Sequence, residues 1–365
     1  MASQVEQTEL NSFVYKNHKT WRKLISGRSS LNISSASNKN NNQDRVMSGF
    51  CIEKKLDWLI ICDGHGSNDV VDFLDMILID DIICRCNSPV MFIQEIQKQL
   101  KNIDTGYSKF KKASGACITV LYASDKLIEI AWLGDCKAIV IKDNEIIYKT
   151  KDHNVSTDEE AVNFLKKNKS IYFENLGPKI VVNKKMIIEL KENKYVIYNH
   201  KKDFYGNNIR LDACMLTRAL GHAGRTFEKI ETISIPREIG KYRVFIATDG
   251  FWDMVSPLAD SSEWNTELVL ARNRLMEKKN VLISCNNGII DKKNKIKLRN
   301  LELEDMIFKE RNLERMMILE KDANEIIPII LKRWKKEWAV QTKNGVINQR
   351  FSDGDDIGIG IWEGK

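Results

Sequence analysis

The chain has no run of about 18 apolar residues, the length a membrane-crossing helix needs. Its opening segment, MASQVEQTELNSF, lacks a basic stretch followed by an apolar one, so no secretory signal is expected. None of the eight cysteines (51, 62, 84, 86, 117, 136, 214 and 285) forms a CxxC pair, and several lie in apolar runs. That argues against a zinc ribbon or a disulfide framework and for buried free thiols in a reducing compartment. No internal repeat is visible, nor a GxSxG elbow, a GxxxxGK[ST] loop or a GxGxxG turn. The segment at 353 is no EF-hand, because position 12 of such a loop falls on Gly364 rather than Glu. Charge of one sign is also scarce in excess: 57 Lys and Arg against 50 Asp and Glu give +7, spread over the chain. A dedicated nucleic-acid binder concentrates its excess. The densest basic group, Lys332, Arg333, Lys335 and Lys336 around Trp334, reads as the solvated side of a helix.

What is present is the balance of a soluble globular protein, with 43% hydrophobic and 29% charged residues over 365 positions. The first 25 residues suggest a short helix, and the Ser- and Asn-rich stretch 26–43 a loop. Apolar runs at 46–52 and 58–62 read as a hairpin. Helical spacing follows Asn68-Asp69 and again at 90–104, and helix 158–167 carries acids in its first turn. Strands are expected at 116–122, 127–132, 137–141, 145–148, 180–189, 194–198, 242–248 and 357–362. Charged helical patterns dominate 258–340, with Leu303, Met306, Ile307, Leu313, Met316 and Met317 expected on one packed face. Short strand connections beside separate helix pairs argue for a mostly antiparallel layered fold, not for alternating βαβ units.

The chemistry concentrates where an Asp stands against a Gly: Asp63-Gly64, Gly134-Asp135, Asp249-Gly250 and Gly354-Asp355, with Asp44 opening a strand. Each alone is most simply a turn. Together, after apolar strands, they suggest neighbouring strand ends delivering several carboxylates to one edge. Such carboxylates repel one another unless divalent cations neutralise them, and all-oxygen ligands suit Mg²⁺ or Mn²⁺.

The ordered segments NQDRV (42–46), DGHGS (63–67), SGACITVLY (114–122), IAWLGDCKAIV (130–140), TKDHN (150–154), LTRALGH (216–222), FIATDGFWDMVS (245–256) and DGDDIGIGIW (353–362) resemble the metal-dependent Ser/Thr protein phosphatases of the type 2C (PPM) family. The resemblance implies an α+β fold, a four-layer α-β-β-α sandwich of two antiparallel sheets flanked by helices. It places the domain at 42–365 after an extension at 1–41, with a long flap at 158–212 and a helical insertion at about 258–345. It implies hydrolysis of phosphoserine and phosphothreonine by attack of a water bridging two Mn²⁺ or Mg²⁺ ions. By motif position, Asp63 bridges the ions, the Gly64 carbonyl ligates one, and Asp249 and Asp355 complete the second. Asp44 holds metal-bound water, His65 is the general acid, and Asp135 and Asp253 match positions that support a third, weaker metal. The phosphate-binding arginine of the family falls on Lys39, which keeps the charge and loses the two-pronged guanidinium. Further departures are Gln43 for Glu, Gly134-Asp135-Cys136-Lys137 for GDSR, His222 for the Asp of RALGD, and Asp356 for the Asn of DN. The remaining histidines match no catalytic position, although His153 lies in a structural motif. The expected partners are phosphorylated Ser/Thr proteins, selected by the insertions, with no nucleic acid and no membrane span; the chain is expected to be an intracellular monomer. The competing expectation is a catalytically inactive relative serving as a scaffold or regulator.

Overall fold

The computed structural model describes residues 11–15, 19–26, 29–37, 42–105, 113–167, 171–183, 186–202, 208–222, 226–255, 292–334, 337–342, 345–350 and 355–365, with a few isolated positions between 259 and 277. The chain begins with strands β1 (Asn11–Tyr15), β2 (Lys19–Ser26) and β3 (Ser29–Ala36). The hairpin of β4 (Asp44–Cys51) and β5 (Leu56–Gly66) leads into helices α1 (Asp69–Met76), α2 (Ile79–Arg85) and α3 (Pro89–Leu100). Strands β6 (Ser114–Ala123), β7 (Leu127–Leu133), β8 (Lys137–Lys142) and β9 (Glu145–Lys149) follow, then helix α4 (Glu159–Leu165). Strands β10 (Ile171–Asn183), β11 (Met186–Lys202) and β12 (Asn208–Cys214) form a sheet of their own. The short β13 (Leu220–Gly221), then β14 (Glu231–Pro236) and β15 (Tyr242–Ala247), precede the single turn α5 (Asp249–Trp252). Helices α6 (Lys292–Leu319) and α7 (Ala323–Trp334), the hairpin β16 (Glu337–Thr342) and β17 (Gly345–Arg350), and β18 (Ile357–Gly364) complete the order.

Two antiparallel sheets stack face to face. One has the order β1-β2-β3-β18-β15-β8-β9, the other β14-β7-β6-β5-β4 with β13 paired to β6. Side chains alternate across a strand, so a strand covered on both faces reads as an unbroken apolar run. In β5, Leu59 and Ile61 enter the core between the sheets, packed with Val244, Ile246 and Trp362. Their neighbours Ile60 and Cys62 face α1 and α3, among Val70, Phe92 and Ile96. In β15, Phe245 and Ala247 face the third core, with Ile326, Ile330 and Trp334 of α7. Three apolar layers between four structural layers make the expected α-β-β-α sandwich. The seven described cysteines are free, and no helix among the described residues is long and apolar enough to cross a membrane.

Several expectations are corrected. No helix is described in the first 25 residues, where β1 and β2 lie instead. The polar stretch SSLNISSA is not a loop but β3, a sheet member paired on one side with β2 and on the other with β18. The sandwich therefore starts before residue 42. Its sequence hid this because Ser and Asn are tolerated in a strand whose backbone bonds are all made, with only Leu31 and Ile33 entering the inter-sheet core. The single helix expected after Asn68 is split, as Ile77 turns extended between α1 and α2. Strand β14 was not anticipated.

The segment 258–345 is likewise not all insertion. Helix α7 covers the seven-stranded sheet, and Trp334 Nε1 donates to the Gly250 carbonyl at 2.8 Å. The segment ends in the first strand of a hairpin. Arg333, expected in solvent, is buried, with its guanidinium on Glu314 at 2.6 Å, Glu310 at 2.7 Å and the Met254 carbonyl at 2.7 Å. The α6 face also differs: Leu301, Glu314, Arg315, Met317 and Ile318 are buried, while Leu313 and Met316 are only half so. The side chains of Leu303, Met306 and Ile307 lie outside the described residues.

Because Ile330 is wholly buried against the sheet, Ile330→Ala should lower unfolding free energy by about 2–4 kcal/mol in urea denaturation. A loss below about 0.5 kcal/mol would mean that α7 is not part of the core.

Candidate metal centre

The carboxylates gather because strand ends meet at one end of the sandwich. Asp44 and Asp63 are cross-strand partners in β4 and β5, which sets their side chains on the same face. In the other sheet, β15 and β18 are antiparallel neighbours with Ala247 opposite Ile359, so Asp249 and Asp355 leave that sheet at the same end. Thr248 joins the two sheets there. Its hydroxyl donates to Asp44 Oδ2 at 2.8 Å and accepts the Gly358 N–H at 2.9 Å. Glycine at 250 lets α5 approach β18 closely, since a Cβ there would lie 1.9 Å from the Asp356 carbonyl oxygen.

Electrostatics give this end its character. Burial pushes the Asp44 carboxyl well above the ordinary range, and the charges of Asp356, Asp249 and Asp355 push it further against the Thr248 hydrogen bond. Burial likewise raises Asp63, followed by the charges of Asp249, Asp44 and Asp135. The Cys136 thiol is itself pushed up to about 11 by burial, so it is neutral at physiological pH. Carboxylates of several elements thus repel one another in a poorly hydrated space. That donor set, hard oxygens with uncompensated charge on Asp44 and Asp63, fits Mg²⁺ or Mn²⁺.

The other expected residues take varied places. Gly64 is buried in β5, with its N–H donating to the Gln43 carbonyl at 3.1 Å. Asp135 follows β7 and accepts from Cys117 Sγ at 3.0 Å, and its charge reaches Asp63. Asp253 ends α5, with its backbone N–H on the Asp249 carbonyl at 2.7 Å. Lys39 lies outside the described residues. Arg45, the nearest arginine in sequence to that loop, turns away to Asp75 at 2.7 Å and Asp72 at 3.7 Å. Asp356 faces inward: its two oxygens accept from Ser37 Oγ and the Gln43 N–H, both at 2.7 Å, which ties the loop before β4 to the cluster.

One departure from the family motifs, His222, sits against His65, with Cys214 beside them. His222 Nε2 stands 2.5 Å from His65 Nε2, with the rings stacked at 4.7 Å between centroids, and Cys214 Sγ lies 4.0 Å from the same His65 nitrogen. Sequence reasoning gave His222 and Cys214 no role. The only signal was the histidine in RALGH, and its meaning depends on β13 pairing with β6, where Gly221 lies opposite Gly115 and His65 opposite Gly115 in turn. The preceding Arg218 is structural. Buried to 1% exposure, it forks onto both oxygens of Asp158 at 2.7 and 2.8 Å and reaches the Lys229 carbonyl at 2.9 Å. Burial raises the Asp158 carboxyl, but Arg218, Thr217 and the Ala161 N–H outweigh it and leave the group below its usual range. His153 accepts the Gly134 N–H on Nδ1 at 3.0 Å and so pins the turn that carries Asp135.

Because Asp44 and Asp63 are raised in the folded chain, the native state keeps protons that the unfolded chain releases above about pH 4. Without metal, stability should therefore fall as pH rises from there through the folded values. In chelator, Asp63→Asn should raise the melting temperature at pH 7 by about 1–2 °C, the effect of roughly 1 kcal/mol on a chain of this length, and flatten the pH profile. A lower melting temperature for that variant at pH 7 would contradict the repulsion.

Residues 28–170 match the family model of protein phosphatase 2C. No curated protein matches the chain. Among solved structures, a C. elegans sex determining protein is 15% identical with a TM-score of 0.50, covering 93% of this chain, which spans 65% of that protein. An S. agalactiae serine/threonine phosphatase is 12% identical with a TM-score of 0.46, over 92% of this chain and 98% of its own. A serine-threonine phosphatase 2C from Toxoplasma gondii is 12% identical with a TM-score of 0.45, over 99% and 100%. At 15% identity the first of these speaks to fold alone. Over residues 28–170 the chain matches protein phosphatase 2C, and there the resemblance read in the sequence is borne out.

Proposed function

We propose that the chain is a metal-dependent protein serine/threonine phosphatase. The observation that carries this reading is the convergence of Asp44, Asp63, Asp249 and Asp355 from both sheets beside His65, with Asp44 and Asp63 raised by burial and by the charges of their neighbours. Asp63, the Gly64 carbonyl, Asp249 and Asp355 would hold two Mg²⁺ or Mn²⁺ ions, with Asp135 and Asp253 able to support a third. When bound, the ions neutralise the cluster and supply an activated water for attack on phosphorus. Asp44, fixed by the Thr248 hydroxyl, orients water at the edge of the cluster. His65 Nε2 holds the proton that a leaving serine or threonine alkoxide takes, with His222 Nε2 as its neighbour. Lys39 offers the substrate phosphate a point charge in place of a guanidinium fork. The flap sheet and the part of 258–345 ahead of α7 would select the phosphoprotein. The helix α7 itself is excluded from that role by its place in the core.

A second reading, an inactive scaffold, is favoured by one observation: the His65 nitrogen that would serve the leaving group is already engaged by His222.

Hydrolysis of p-nitrophenyl phosphate and of a phosphothreonine peptide should require Mn²⁺, be abolished by EDTA, and fall at least about 100-fold in Asp63→Asn and Asp249→Asn, a barrier increase of about 2.7 kcal/mol or more. Turnover equal to those variants would leave the scaffold reading.

A further inference from the structure

Beyond the carboxylate cluster, the structure assembles a donor set of a different chemical kind. His65 Nε2, His222 Nε2 and Cys214 Sγ lie within 4.8 Å of one another. We propose that these three side chains form a separate site for a borderline-soft divalent transition ion, Zn²⁺ being the natural occupant, with its fourth position open to solvent.

Three observations carry the assignment. The first is donor chemistry: two imidazoles and a thiol suit Zn²⁺ and are poor partners for Mg²⁺ or Mn²⁺, which the oxygen cluster suits. The second is geometry. A tetrahedral zinc sets two imidazole nitrogens about 3.3 Å apart, and a nitrogen and a thiolate sulfur about 3.6 Å apart, from the usual bond lengths. The two separations from His65 are 2.5 Å and 4.0 Å, and all three donor atoms lie within 4.8 Å of one another, so shifts of about 1 Å bring them to that spacing. The third is that the backbone is shaped to bring the rings together. A Cβ on residue 115 would come 2.2 Å from His222 Nε2 and 2.6 Å from His65 Nε2, so only glycine leaves space for both imidazoles. His222 itself adopts φ +56°, a left-handed conformation in which histidine, with Asn and Asp, is over-represented, directly after Gly221 at φ +80°.

The sulfur is held in place: the Leu216 N–H donates to Cys214 Sγ at 3.4 Å, and the thiol donates to the Leu216 carbonyl at 3.6 Å. His65 and Cys214 are half-exposed and give the ion a path from solvent, while His222 is buried and fixed. On binding, each ring presents the Nε2 lone pair and keeps its proton on Nδ1; the thiol proton passes to solvent. The site stands independently of the phosphatase reading. Only its consequence rests on that reading: an ion on His65 Nε2 takes the place of the proton the leaving group needs, so occupancy would switch turnover off.

The test reads metal binding directly. Full-length protein is stripped with EDTA, given excess Mg²⁺ to occupy oxygen ligands, and titrated with Co²⁺ as a spectroscopic stand-in for Zn²⁺. A thiolate-to-cobalt charge-transfer band in the near ultraviolet, saturating at one equivalent and bleached by Zn²⁺, is expected. The band should vanish in Cys214→Ser, and Zn²⁺ affinity should fall at least about 10-fold in His222→Gln. The band should persist in Asp249→Asn, and circular dichroism checks that each variant is folded. No band in the folded native chain, a band unchanged in Cys214→Ser, or one lost in Asp249→Asn would overturn the proposal. None of these outcomes depends on phosphatase activity, so a protein without turnover that shows the band would sink the catalytic reading and keep the site.

Discussion

Mutual repulsion among carboxylates at the shared end of the two sheets is the constraint around which this molecule is organised. Asp44 and Asp63 come from one hairpin of one sheet, Asp249 and Asp355 from the meeting ends of two neighbouring strands of the other, and only the sandwich brings the two pairs together. Their closeness opposes folding, because each raises the cost of ionising its neighbours. Three buried apolar layers supply the compensating free energy. Divalent cations would turn the same repulsion into attraction. The instability of the empty cluster would therefore be the source of its affinity for them.

The surroundings of the cluster serve to hold its parts in place. Thr248 bridges the sheets through one hydroxyl. Trp334 of α7 fixes α5 by its bond to the Gly250 carbonyl, so the helical layer bears directly on Asp249. His153 grips the turn before Asp135, and Asp356 grips the loop before Asp44. The buried Arg218–Asp158 pair does the same for the segment leading to β13 and His222. Removing one partner of such a pair strands a buried charge, so these contacts act on the site through geometry.

Much of this was legible in the sequence for physical reasons. Strands covered on both faces leave unbroken apolar runs, and WLIIC at 58–62 and YRVFIA at 242–247 are such runs. The Asp-Gly pairs at strand ends marked the carboxylates. What stayed hidden obeys the same physics. Strand β3 is polar because its backbone bonds are satisfied on both sides and few of its side chains must be apolar. Helix α7 looked like part of an insertion because its chain neighbours are charged, although one face of it is core. Arg333 looked solvated because its acidic partners, Glu310 and Glu314, sit on another helix. The juxtaposition of His65, His222 and Cys214 spans more than 150 positions of chain, and no local pattern announces it.

The most direct measurement of the central claim is equilibrium dialysis of the chelator-stripped chain against Mn²⁺. Saturable binding is predicted, reduced at least about 10-fold in affinity when either Asp63 or Asp249 becomes Asn, because each removes a hard oxygen ligand and a charge from the cluster. Weak, unsaturating binding that is the same in the native chain and in both variants would contradict it.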